Sequence, residues 1–121
     1  MAGKKTWFIP DGFLPPKSTG DQISHEAVCV LNLGKEDAHI KLTFYFEDRN
    51  PMDRFQSVCG AERTHHIRLD QLKDREGQLI PVGVSYAIKV ESSVPVIVQH
   101  SRLDTTQEAL ALFTTMAYSE E

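Results

Sequence analysis

The stretch that most limits what this chain can fold into is "AHIKLTFYFE". Ile40, Leu42, Phe44 and Phe46 alternate with His39, Lys41, Thr43 and Tyr45. Neighbouring side chains of an extended strand point to opposite faces, so this period of two gives one apolar face and one polar face. "VSYAIKVE" repeats the pattern, with Val84, Tyr86, Ile88 and Val90 set against Ser85, Ala87 and Lys89. Both stretches predict strands that each cover one side of a core.

Turn signals come at short intervals. "KTWFI" is stopped by Pro10, Asp11 and Gly12, and "LGKED" offers Gly34 for a tight turn. "DRNPM" comes next, where Pro51 has no amide to give to a ladder. "SHEAVCVLN", "RFQSVC", "RTHHIRL", "PVIVQHSRL" and "ALFTTMAY" are further candidate strands. "DQLKDREGQ" has room for one helical turn, and Thr106 to Phe113 contains helix formers, although "FTTMAY" is rich in strand formers. About eight short strands with no long helical pattern predict an all-β fold, a compact antiparallel β-sandwich or barrel. A chain of 121 residues fits one domain, spanning residues 1–121. The charged end "SEE" is expected to fray.

Composition narrows the function. The formal net charge of −4 argues against a general polyanion binder, because nucleic-acid binding needs a basic field. No stretch approaches the roughly 20 apolar residues of a membrane helix. "MAGKKTWFIPDG" has no apolar core of a secretory signal, so a cytoplasmic location is expected. Cys29 and Cys59 lack CxxC spacing and read as reduced, packed side chains.

Catalytic and metal motifs are missing. His25, His39, His65, His66 and His100 show no HxH, HExxH or Cys/His zinc spacing. His65 and His66 are neighbours and would face opposite sides of a strand, whereas His25, Glu26 and His100 can meet in space. Ser24, His25 and Glu26 have the residue types of a triad, but adjacent strand residues diverge. No GxSxG elbow, phosphate loop or dinucleotide fingerprint is present. The expectation is a protein that is not an enzyme and uses no metal or cofactor.

One stretch still asks for an explanation. "SSVPVIVQHSRLD" runs from an apolar strand straight into Gln99, His100, Arg102 and Asp104 with no turn signal between. His100, Arg102 and Asp104 share a face with Val96 and Val98, while Gln99 and Ser101 lie on the other with Ile97 and Leu103. As a site, Arg102 would grip an anion and Asp104 would accept from hydroxyls. As a strand end, Arg102 and Asp104 would form an ion pair and Asp104 would cap the turn at "DTTQ". Trp7, the one tryptophan, reads as core filler or as a stacking face for a ring.

"ISHEAVCVLNLGKEDAHIKLTFYFED", "ERTHHIRLDQL", "SVPVIVQHSRLD", "TMAYS" and the N-terminal "WFIPDGFLPP" together resemble the soluble sensory rhodopsin transducer family, over roughly Trp7 to Ser119. The resemblance implies a small cytosolic antiparallel β-sandwich that assembles as a homotetramer. It implies two roles: partnership with a membrane-embedded sensory rhodopsin, as in the founding cyanobacterial member, or binding of a small, sugar-like molecule. DNA binding has been suggested for the founder, which the acidic balance here opposes. Ser101 stands where the family block leads one to expect threonine, and the loops "FLPPKSTGDQ" and "DREGQLIPVG" differ in length or content. The expected ligand site comprises Trp7, Ser24, His25, Glu26, His66, Arg68, Gln99, His100, Arg102 and Asp104. The leading expectation is a cytosolic signalling domain that oligomerises and binds a small polar ligand. The alternative is a transducer that docks a membrane rhodopsin.

Overall fold

A computed structural model describes residues 2–120; Glu121 of the "SEE" end lies outside the described residues. It contains β1 (Lys4–Phe13), β2 (His25–Asn32), β3 (Ala38–Phe46), β4 (Met52–Cys59), β5 (Arg63–Arg68), β6 (Ser85–Asp104) and β7 (Ala111–Met116). All pairings are antiparallel, in one curled sheet of order β4-β3-β6-β2-β5, with β1 and β7 also paired to β6. The all-β antiparallel expectation holds. The strands number seven among the described residues, and one shared strand joins the two halves of the sheet.

That shared strand is β6, which runs for 20 residues. "VSYAIKVE" and "PVIVQHSRL" are two stretches of it, which is why the count falls below the expected one. Its first half pairs with β1 and β3, and its second half with β2 and β7. Pro95, which has no amide to donate, sits at the handover between these partners. There side chains take over from the ladder: Ser93 Oγ accepts from the His39 amide at 2.9 Å and Ser92 Oγ from the Val94 amide at 3.3 Å. A proline that reads as a strand break instead marks where the strand changes neighbours.

Alternation fills the core as expected. Ile40, Leu42 and Phe44 of β3 face inward with Ile88 and Val90 of β6 and Val28 and Val30 of β2. Phe44 meets the rings of Phe55 and Tyr86 edge-on, at 5.2 and 5.4 Å between centroids. The far edges are clasped where Ser57 Oγ on β4 meets His65 Nε2 on β5 at 2.8 Å. Cys29 and Cys59 are free cysteines; Cys59 is packed in the core as expected, while Cys29 is only half-buried. "DQLKDREGQ" forms turns, with Asp74 Oδ1 accepting from the amides of Glu76 and Gln78. The chain end is tied rather than frayed up to Ser119, whose hydroxyl donates to Thr6 O at 2.7 Å. Among the described residues no helix is long and apolar enough to cross a membrane.

Candidate functional site

The polar end of β6 is occupied by one carboxylate. Glu26 on β2 is fully buried, with 0% exposure. An unpaired charge there would cost several kcal/mol in desolvation. Each oxygen instead accepts two hydrogen bonds. Oε1 takes Tyr86 Oη–H at 2.6 Å and His100 Nε2 at 2.8 Å; Oε2 takes the Phe13 amide at 2.8 Å and Arg102 Nε at 2.7 Å. The cluster ties β1, β2 and both halves of β6 together. Burial pushes the Glu26 carboxyl up, but the bonds from His100, Tyr86 and the Phe13 amide outweigh it and hold the group below its ordinary value. Tyr86 shows the converse: burial, and then the adjacent Glu26 charge, raise its phenol well above the ordinary value. Since an ionised Glu26 only accepts, the proton shared with His100 belongs to Nε2.

Gly12 makes this contact possible. A Cβ at position 12 would come within 2.2 Å of the Tyr86 ring, so only glycine lets that ring lie against β1 and reach Glu26. The β1 register shift between Ile9 and Gly12 lies just before it, so Pro10 and Asp11 form a bulge rather than the expected stop.

The predicted residues fall into separate places. Glu26, His100 and Arg102 meet on the inner face. Arg102 pairs with Glu26, not with Asp104; Asp104 Oδ1 instead caps Thr106, accepting from its amide at 2.9 Å and its hydroxyl at 2.7 Å. The strand-end reading thus holds for Asp104. Ser24 bonds Thr105, with its Oγ accepting the Thr105 amide at 2.8 Å. Trp7 is core, 9% exposed, and its indole N–H is shared between Lys4 O and Val96 O, each at 3.0 Å. Its ring offers no open stacking face. His25, His66, Arg68 and Gln99 belong to the outer face, because their register partners alternate with the buried Val28, Ile67 and Val98. His25 Nδ1 bonds Ile23 O at 2.8 Å, and Arg68 forks onto Asp70 at 2.8 and 2.7 Å. His25 therefore does not join Glu26 and His100.

Sequence reading missed Tyr86, Gly12 and Phe113. Tyr86 carried a signal: a tyrosine on the apolar side of an alternating strand needs a partner for its hydroxyl. Phe113 on β7 lies 5.3 Å from the Arg102 guanidinium and 6.4 Å, edge-on, from the His100 ring.

Beside this cluster the curl of the sheet leaves a seam. The edges of β1 and β7 meet where Phe8 and Tyr118 exchange backbone hydrogen bonds at 2.7 and 2.9 Å and Ser119 reaches Thr6. Next to that clasp a cleft of about 230 Å³ opens between Phe8–Asp11 and Phe113–Ala117, and His100 lines it. A larger concavity of about 420 Å³, walled by Asp53, Arg54, Asp74 and Glu76, contains none of the predicted residues. Arg54 pairs there with Glu76 at 2.9 Å, and Asp74 is engaged by the amides of Glu76 and Gln78. Among the described residues no group of His, Cys, Asp and Glu side chains is arranged to hold a metal ion.

The outer face of β2, β6 and β7 is of another kind. Ala27, Cys29 and Leu31 lie beside Ile97, Ser101 and Leu103, and beyond them Leu112 and Met116 are 71% and 57% exposed. No charged side chain interrupts these positions.

Comparison with known proteins fits this fold. The chain resembles a solved structure of Thermotoga maritima 1070 at 40% identity and a TM-score of 0.87, over 100% of this chain and 98% of that one. It resembles the Anabaena sensory rhodopsin transducer at 38% identity and a TM-score of 0.74, over 82% of this chain and 96% of that one. No curated protein sequence matches it. The family described as Anabaena sensory rhodopsin transducer matches residues 2–119, almost the whole length. With its curled antiparallel sheet and this match, the chain belongs to the Anabaena sensory rhodopsin transducer family.

Proposed function

We propose that the chain is a cytosolic signalling domain, not an enzyme, that assembles with copies of itself, as a homotetramer, and binds a small polar, sugar-like ligand without a cofactor. The observation that carries this reading is the position of His100. The ring is 2% exposed, it lines an open cleft, and it is bonded to a carboxylate that ties β1, β2 and β6. Whatever contacts His100 acts on a cluster that spans the sheet. Self-assembly is supported by the apolar outer stripe of β6 and β7, where Leu112 and Met116 stand open beside a strand edge. The test is thermal unfolding against a panel of sugars, nucleotides, carboxylates and metal ions. A ligand of the folded state raises the midpoint with concentration. A flat panel contradicts ligand binding, and a monomeric mass in sedimentation contradicts assembly.

Similarity to the Anabaena sensory rhodopsin transducer supports a second reading, in which the chain docks a membrane sensory rhodopsin and passes its signal to cytosolic targets. Co-purification with a rhodopsin encoded in the same genome tests it. A genome without one removes it. Nucleic acid is not part of either reading.

A further inference from the structure

We infer that the ligand site is the cleft between β1 and β7, to which His100 alone of the strand-end polar residues contributes, and that it takes a neutral hydroxylated ring with one apolar face. This inference rests on the ligand-binding reading above. Glu26 has no acceptor left to give, since both oxygens already accept two bonds. Asp104 is engaged in its own turn and Trp7 is shut into the core. The cleft, by contrast, is open, and a buried polar side chain forms part of its wall.

The lining sets the ligand chemistry. Phe8, Ile9, Phe113 and Met116 make most of the wall apolar. The polar groups among them are His100, Asp11 and Thr115. The Asp11 carboxylate accepts, Thr115 offers a hydroxyl, and His100 lines the wall while its Nε2 stays on Glu26. The matching ligand supplies donors along one edge and C–H groups on one face. An anion is disfavoured by Asp11. A cation would compete with Arg102, which already sits 5.3 Å over the Phe113 ring. Phe113 remains 45% exposed and offers the apolar contact. A volume of about 230 Å³ has room for one such ring, not for a chain of them.

The experiment titrates the full chain with methyl pyranosides while recording amide and aromatic NMR shifts. The expected result is saturable binding with shifts centred on Phe8, Asp11, Phe113 and Thr115. Asp11→Asn should weaken binding about tenfold, the effect of losing one charge-assisted hydrogen bond. Asp11 is exposed, so its replacement leaves the fold intact, and Thr115→Val provides a second variant away from Glu26. Saturable binding with shifts at His66 and Arg68 on the outer face would overturn the cleft assignment and leave ligand binding standing. Binding unchanged in both variants would do the same. No saturation by any pyranoside would overturn the assigned ligand class. If the wider thermal panel is also flat, the ligand-binding reading falls with it.

Discussion

At their polar ends β2 and β6, with β7 beside them, reverse the usual order of a protein, although Val28, Val30 and Val98 still pack inside. Their inner face holds Glu26, His100 and Arg102, while their outer face carries Ala27, Cys29, Leu31, Ile97, Leu103 and Leu112. The first half of β6 is conventional, with Tyr86, Ile88 and Val90 packed inside and Ser85, Ala87 and Lys89 outside. One strand therefore passes from a core held by apolar packing to a core held by a saturated carboxylate. The lesson is that burial at this end is made tolerable by hydrogen bonds, and that the apolar surface sits where a second molecule would cover it.

The sharpest way to break the comparison is at Glu26. Glu26→Ala leaves Arg102 and His100 facing a void and should cost about 3–5 kcal/mol in denaturant unfolding. An equal loss from an apolar truncation in the first half of β6, such as Ile88→Ala, at about 2–5 kcal/mol, would show that the two halves carry comparable weight by different means. Tyr86→Phe removes one of four donors and should cost about 1–3 kcal/mol, because a buried acceptor loses a partner.

Acid sharpens the same point. The Glu26 carboxyl lies below its ordinary value of 4.5 in the folded chain. It therefore stabilises the fold above that pH, and the contribution is lost as pH falls through the lower, folded value. Thermal midpoints should drop on the acid side in the native chain. In Tyr86→Phe the drop should begin at higher pH, since one of the bonds that lower the carboxyl is gone. An acid limb identical in both chains would remove Glu26 from the account. On the outer face, Leu112→Asp should change monomer stability by less than about 0.5 kcal/mol yet lower the mass seen in sedimentation. The turn after β6 gives a smaller loss than the Glu26 cluster: Asp104→Ala should cost about 1 kcal/mol in unfolding and leave that cluster intact.

Much of this was legible in the sequence, for local reasons. Alternation in "AHIKLTFYFE" marked β3 and its buried side, and the opposition of His100 and Arg102 to Gln99 and Ser101 held as read. Two things were not legible. "SSVP" looks like a break, yet the chain stays extended because the serines and Pro95 sit where β6 exchanges one set of partners for another. The partner of Arg102 was also hidden. Asp104 lies two positions away on the same face, but Glu26 is brought opposite Arg102 by the β2–β6 register, a pairing that no local pattern encodes. The site reading inherited that gap: strand-end polarity pointed to a ligand, whereas Arg102 and Asp104 bond within the chain, to Glu26 and Thr106.

The central claim, that a single buried carboxylate joins the polar ends of these strands, is tested most directly by a double-mutant cycle on Glu26→Gln and Arg102→Met in equilibrium denaturation. If the residues act as one cluster, the double variant loses less than the sum of the single losses, by about 1–3 kcal/mol. Additivity within about 0.3–0.5 kcal/mol would mean that Glu26 and Arg102 stabilise the fold independently and would contradict the account.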